Sequence, residues 1–314
     1  MKKIINVENL IKRYKKAENN AVDDISFYVE EGAFFSLLGP NGAGKTTTLS
    51  ILTTTLTKTS GKVTIVGFDL DKNAHDIRRN IGVIFQNPSL DLNLTAEENV
   101  RIHVILYGIY PFRPTFQLMP EKYKRKVQEL SSILGIEKEI FKPIKTFSGG
   151  MKRKLEIVRS LTHEPKVLFL DEPTTGLDPL SRKNLWEYLM DVKKKQKTTI
   201  FLTTHYLDEA EEADYICIVN RGKIISQGTP REIKQNLIDE YIMIDAKDRE
   251  KLTKELSRRE IVFSLKGPFK IDLKNRTVHE VVREIETPLT RVSTHTPSLE
   301  EAYLEIISQS DSSS

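Results

Sequence analysis

The stretch "GPNGAGKTT", Gly39 to Thr47, constrains this chain more than any other. It fits G-x-x-x-x-G-K-[ST], a loop whose backbone N–H groups curl around a phosphate. Such a loop works between a strand and a helix, where the helix N-terminus adds free N–H donors. The flanks comply. "AFFSLL", Ala33 to Leu38, is a short apolar run suited to a buried strand, and "KTTTLSILTTT" opens a helical pattern. Gly39, Pro40, Asn41, Gly42, Ala43 and Gly44 would form the cradle, its glycines admitting the phosphate without a Cβ clash. Lys45 would neutralise phosphate charge and the Thr46 hydroxyl would ligate Mg²⁺, with Thr47 next along the helix. The alternative is a glycine-rich turn that binds nothing.

A second motif narrows that choice. "KVLFLDEP" reads as a strand ending in Asp171, where a carboxylate can reach Mg²⁺ through water. Glu172 follows directly and is a candidate general base for an attacking water. Two adjacent carboxylates can also be a plain strand-end turn; downstream of a phosphate loop the catalytic reading is preferred. "TTIFLTTH" puts His205 at the end of another strand, where ligands gather in parallel sheets, although a lone histidine there can be structural.

Between these motifs, strands alternate with helices. "DDISFYVEEG", "KVTIVGFDL" and "IGVIFQNP" read as strands, and Thr95 to about Gly135 reads as helix broken near "YPFRP". "LSRKNLWEYLMDVKKK" places Leu185, Trp186, Leu189 and Met190 on one helical face. The pattern argues for an α/β fold with a mostly parallel sheet. After "GTPREIKQN" the chain becomes more charged, with shorter strands at "EYIMIDA", "EIVFSL" and "FKIDL" and helices between, a β-α-β-β-α-like α+β domain. The expected division is residues 1–235, then 236–308, then a polar tail 309–314 too polar to bury and expected to be disordered.

Composition removes several classes. With 48 cations against 44 anions the surface is mixed, so no nucleic-acid partner is expected. Cys217 is the one cysteine, which excludes an internal disulfide and suits a reducing compartment. No run of about 18 apolar residues occurs and the first residues do not form a signal peptide. The chain is expected to be soluble, or to sit on something that is itself in the membrane.

"TFSGGMKRKLEIVRS" then poses a puzzle, because Ser148, Gly149 and Gly150 before a long helical pattern look like a second phosphate site. The phosphate loop, "FSGG", "LDEP", "GLD" and a strand-end histidine, in that order, resemble the ATP-binding-cassette (ABC) ATPases over roughly the first 235 residues. The resemblance implies a RecA-like P-loop NTPase fold with β and α-helical subdomains, the helical one near residues 88–147. It implies that Ser148, Gly149 and Gly150 close over ATP held by a second, head-to-tail subunit. By the same likeness Tyr14 stacks on adenine, Gln86 touches Mg²⁺ and links the site to a membrane partner, and His205 senses the γ-phosphate. Asp178 resembles the aspartate of the loop crossing the dimer interface, and it is also a sound N-cap before Pro179. The signature departs from the common L-S-G-G-Q at Met151, which cannot donate as glutamine does. Lys152, Arg153 and Lys154 after it are expected on a solvated helix face.

"TPSLEEAYLEI" spaces Ser298 and Glu301 as a capping box, and with "FQNPSLDLNLTAEENV" it is similar to the daunorubicin-resistance-type subunits. That likeness implies the ATPase of an exporter of drugs, antibiotics, lipids or polysaccharides. Its transmembrane permease would be a separate polypeptide docked on the helical subdomain, holding the chain to the inner face of the membrane from the cytoplasm. An importer ATPase and a soluble ABC ATPase are the competing readings.

Overall fold

The structure, a computed structural model, describes residues 2–86, 89–175, 177–235, 241–259, 261–264, 268–273, 276–295 and 298–312. Asn87 and Pro88 after Gln86, Gly176 of "GLD", residues 236–240 at the expected start of the small domain, and residues 313–314 lie outside these.

Alternating burial begins the chain. β1 (Lys3–Lys12) and β2 (Val22–Glu30) pair antiparallel and bury Ile5, Leu10, Ile25 and Phe27. β3 (Phe34–Leu38) belongs to a different sheet, and all five of its residues are buried, as suits a strand covered on both faces. After α1 (Lys45–Leu52), β4 (Ser60–Ile65) and β5 (Phe68–Asp69) return to β1, completing a four-stranded antiparallel sheet ordered β2-β1-β4-β5. The single strand expected at "KVTIVGFDL" is therefore a hairpin. Val66 and Gly67 take φ of 54° and 82°, the paired positive values of a tight two-residue turn.

α2 (Ala74–Asn80) leads into β6 (Ile81–Ile84), and then come the helices α3 (Ala96–Leu106), α4 (Glu121–Ile133) and α5 (Gly149–Leu161). α3 opens on a capping box made by Thr95 and Glu98. Inside it Glu97 and Arg101 form a buried pair 3.1 Å apart, and the Tyr123 hydroxyl of α4 donates to Glu97 at 3.0 Å. Arg101 also donates to the carbonyls of Arg113 and Pro114, which holds the proline-broken connection against the helix.

The rest of the large sheet follows as β7 (Val167–Asp171), α6 (Pro179–Gln196), β8 (Thr199–Thr204), α7 (Leu207–Glu211), β9 (Tyr215–Asn220) and β10 (Lys223–Gly228). Its order is β10-β9-β3-β8-β7-β6, and the neighbours from β9 to β6 are parallel. Phe35 and Phe201 stack at 5.1 Å, with Phe27 at 5.3 Å from Phe35 and Phe169 at 5.3 Å from Phe201, so the two sheets share one core. Because β3, β8, β7 and β6 run the same way, Leu38, Thr204, Asp171 and Ile84 end on one edge.

Contacts divide the chain into Met1–Gln227 and Gly228–Ser314. The second unit begins before residue 235 because α8 (Pro230–Gln235) packs with its last helix. It continues as β11 (Tyr241–Ala246), α9 (Arg249–Arg258), β12 (Phe263–Ser264), β13 (Phe269–Asp272), α10 (Val278–Arg283), β14 (Leu289–His295) and α11 (Leu299–Ser312). An antiparallel sheet ordered β12-β13-β11-β14 covers a core of Ile242, Ile244, Leu252, Leu256, Phe269 and Ile271. The tail departs from expectation: residues 309–312 continue α11. Ser298 and Glu301 cap that helix reciprocally, and extending a nucleated helix is far easier than starting one. Among the described residues no helix is long and apolar enough to cross a membrane.

One polar cluster in the helical region makes stability pH-dependent. His103 of α3 and His163 after α5 have ring centroids 6.0 Å apart, and His103 Nε2 and His163 Nδ1 are buried without hydrogen-bond partners among the described residues. Burial, with Arg159 and His163 nearby, holds His103 down to about 2; burial also lowers His163. His103 is therefore neutral when folded and takes up a proton near pH 6.5 when unfolded, and His163 is shifted in the same direction. Stability is full above that pH and is lost progressively below it, by about 2 kcal/mol at pH 5 for His103 alone. Urea melts from pH 7.5 to 5 should show this decline, and His103→Phe should make it shallower; an unchanged slope would remove His103 from the effect.

Candidate active site

β3 ends at Leu38 and the chain turns directly into the glycine loop and α1. Gly44, just before α1, has a φ of 101°, and a Cβ there would lie 2.4 Å from the Ala21 carbonyl oxygen, so a side chain is excluded twice over. Lys45 is buried, and its Nζ donates to the carbonyls of Gly39 at 2.7 Å and Pro40 at 3.0 Å. Burial lowers its pKa, opposed by the charges of Glu172 and Asp171. In front lies a cleft of about 330 Å³ lined by Asn41 to Thr47, with Ala21, Gln86 and Glu172 on its other walls.

The neighbouring strand ends supply the polar groups. Asp171, 1% exposed at the end of β7, accepts from Thr46 Oγ1 at 3.4 Å and from the Thr203 hydroxyl of β8. Burial raises its pKa, with the Thr203 and Thr46 hydrogen bonds pulling it back. Glu172 has a φ of 46°, unusual for a residue with a Cβ, and its N–H donates to the Thr203 carbonyl at 3.0 Å. Both of its carboxylate oxygens are engaged: Oε1 accepts from His205 Nδ1 at 2.9 Å, and Oε2 accepts from Gln86 Nε2 at 3.0 Å. Gln86, Glu172 and His205, from behind β6, β7 and β8, thus form one hydrogen-bonded chain beside the phosphate loop. The Thr46 hydroxyl, the Asp171 carboxylate and the Gln86 amide are hard oxygen donors that could hold Mg²⁺, which binds through one or two carboxylates with other oxygen donors and completes its shell with phosphate and water.

Other residues from the sequence reading stand apart from this cluster. Tyr14 lies past β1, half exposed, with its hydroxyl 3.3 Å from Thr47 Oγ1. Asp178 is exposed just before α6, its carbonyl accepting from Arg182 N at 2.9 Å. Ser148 caps α5, accepting from Met151 N at 3.2 Å, and neither it nor Gly149 nor Gly150 lines the cleft.

Sequence reasoning missed three residues. Thr203 is one, because only the register of β7 with β8 sets it opposite Asp171. Ala21 is another, brought to the loop by the turn before β2. The third corrects an expectation: Arg153 is 3% exposed and does not lie on a solvated face. Its signal was the spacing of Arg153, Glu156 and Arg159, three apart along α5 and all buried.

Residues 22–175, which hold the glycine loop, Gln86, Ser148 and the Asp171-Glu172 pair, match the ABC transporter family model. The chain is 40% identical over 231 residues to the Nod factor export ATP-binding protein I of Ralstonia nicotianae, across 73% of this chain and 68% of that protein. This chain belongs to the ABC transporter family. Another family member, the doxorubicin resistance ATP-binding protein DrrA of Mycobacterium tuberculosis, is 37% identical over 77% of this chain and 70% of its own length. Of YbhF from Escherichia coli, a probable multidrug ABC transporter ATP-binding protein, the chain spans 38%, at 37% identity. Among solved structures, the dimeric ATP-binding cassette MJ0796 in a post-hydrolysis state bound to ADP and Pi superposes with a TM-score of 0.64. It covers 72% of this chain and 98% of its own, at 26% identity. His205 and Asp178 lie beyond the family-model match.

Proposed function

We propose that this ABC transporter chain is the ATP-binding and hydrolysing subunit of an exporter that moves a drug, antibiotic, lipid or polysaccharide through a separate membrane subunit. The observation that carries the hydrolytic part is the Gln86–Glu172–His205 chain at the mouth of the glycine-loop cleft. Lys45 and the loop N–H groups would hold the phosphates, and the Tyr14 ring would stack on the base. Thr46, Asp171 and Gln86 would hold Mg²⁺, which neutralises phosphate charge when bound. Glu172 would accept a proton from the attacking water, with His205 Nδ1–H and the Gln86 amide fixing the angle of its carboxylate. Export as the direction follows the names of the relatives, which include Nod factor export and doxorubicin resistance proteins.

Two subunits would share each nucleotide. Gly149 and Gly150 have no positive φ, and a Cβ on either would meet nothing within 4 Å, so nothing among the described residues demands glycine there. A phosphate held by a second cassette would demand it, with Asp178 on the loop that crosses between the two. Docking to the permease would use the helical region and would hold the chain to the inner face of the membrane. On α3, Ile102 and Leu106 are 38% and 77% exposed and four residues apart, an apolar stripe with room for a partner helix.

Reconstituted vesicles test this reading. The isolated chain should hydrolyse ATP slowly, and adding the membrane subunit should change that rate. Leu106→Asp should abolish the change while leaving nucleotide affinity alone. A chain that runs at full rate alone, binds no membrane subunit and causes no export defect when deleted is a soluble ATPase instead.

A further inference from the structure

We infer that Arg153 is a positioning residue that ties the Ser148-Gly149-Gly150 end of α5 to Glu172 and Gln86 of the same chain. The inference rests on the ATPase reading above and names how contact at the helix end would reach the hydrolytic groups.

The guanidinium is buried at the meeting point of three segments. Its Nε donates to the Pro173 carbonyl at 2.9 Å, and one terminal nitrogen donates to the carbonyls of Asp171 at 3.2 Å and Glu172 at 3.1 Å. The other terminal nitrogen donates to the Phe85 carbonyl and to Glu156 at 3.1 Å. Four main-chain carbonyls are thus gathered on one side chain. Three belong to the segment that carries the two site carboxylates, and the fourth belongs to the residue directly before Gln86. Only a planar fork with five donors can serve such a set at once; an ammonium on a flexible stem cannot.

Glu156, fully buried, extends the clamp: it accepts from Ser89 N at 3.0 Å and pairs with Arg159 at 3.6 Å. The stripe Arg153–Glu156–Arg159 therefore holds Phe85 and Ser89 on one side, and the 171–173 segment on the other, to α5. Glu172 keeps its positive φ because its surroundings over-determine it, and Arg153 on its carbonyl with Thr203 on its N–H are main-chain restraints. Ser148, the cap of α5, stands five residues before Arg153 of the same helix. A small movement of the helix end carries the guanidinium with it and displaces the two segments together. A purely structural arginine would not require that its acceptors be the backbone of the general base and of the residue beside Gln86.

The test uses the full chain as wild type, Arg153→Lys, and the paired Arg153→Met, Glu156→Met variant, which leaves no buried charge from that pair. Thermal melts, the Kd of a fluorescent ATP analogue with Mg²⁺, and steady-state kcat and KM are measured on each. In a folded variant kcat should fall about tenfold to a hundredfold, the usual effect of misplacing a reacting group. Kd and KM should stay within about threefold, since the lost geometry acts after binding. A kcat near wild type in either folded variant overturns the inference. So does a kcat loss matched by an equal loss of affinity, or a collapse of Tm in both variants, which would assign Arg153 to the core alone. A wild-type chain without ATPase activity overturns the underlying reading and takes this inference with it.

Discussion

Glu172→Gln lowers ATP turnover by about 10²–10⁴-fold, the usual worth of a general base, while leaving nucleotide affinity nearly unchanged. The amide keeps the shape of the carboxylate and its oxygen can still accept from His205 Nδ1, while its new NH2 group faces Gln86, whose amide must turn to accept from it. What it loses is the ability to take a proton from water. Lys45→Ala gives the opposite pattern, because the cation closest to the loop carbonyls is removed and tight binding is lost with it. Steady-state ATPase rates beside equilibrium nucleotide binding separate the two variants. Near-normal turnover by Glu172→Gln would remove Glu172 from the mechanism.

Ser148→Arg, introduced into the Glu172→Gln background, should abolish ATP-dependent dimerisation without weakening nucleotide binding by the monomer. Ser148 and Gly149 are exposed at the start of α5 and are absent from the lining of the chain's own cleft. A bulky side chain at that helix end therefore spares the glycine loop and blocks only what approaches from outside. The hydrolysis-deficient background lets a nucleotide-bound dimer accumulate, and molecular mass measured with ATP and Mg²⁺ reads it. A dimer that survives the substitution would sink the shared-nucleotide account. Raising salt should weaken the wild-type dimer, because phosphate contacts at such an interface are charged and screened.

Legibility from sequence followed how local each feature is. The glycine loop is one continuous stretch, and its geometry depends on backbone φ values and a helix start that those residues themselves prefer. β3, β7 and β8 were likewise readable, because strands buried on both faces are written as mostly apolar runs without the alternation of a half-exposed strand. The capping box at Ser298 and Glu301 needed only its three-residue spacing. Where the reading erred, the deciding contact lay elsewhere. Arg153 between two lysines looked like a solvated face, yet its acceptors come from segments around residues 85 and 171–173. The α8 boundary depended on a helix near the far end of the chain.

The sequence alone determined that this chain carries a phosphate loop, an acidic strand end and an alternating α/β pattern, because each is set by neighbours within a few residues. Tertiary structure decided which groups meet. Gln86 lies 86 residues from Glu172, and His205 lies 33 residues beyond it, yet both reach one carboxylate. That meeting depends on strand order and register across β6, β7 and β8. Those are set by how the whole core packs, a cooperative long-range property that no single stretch of sequence contains.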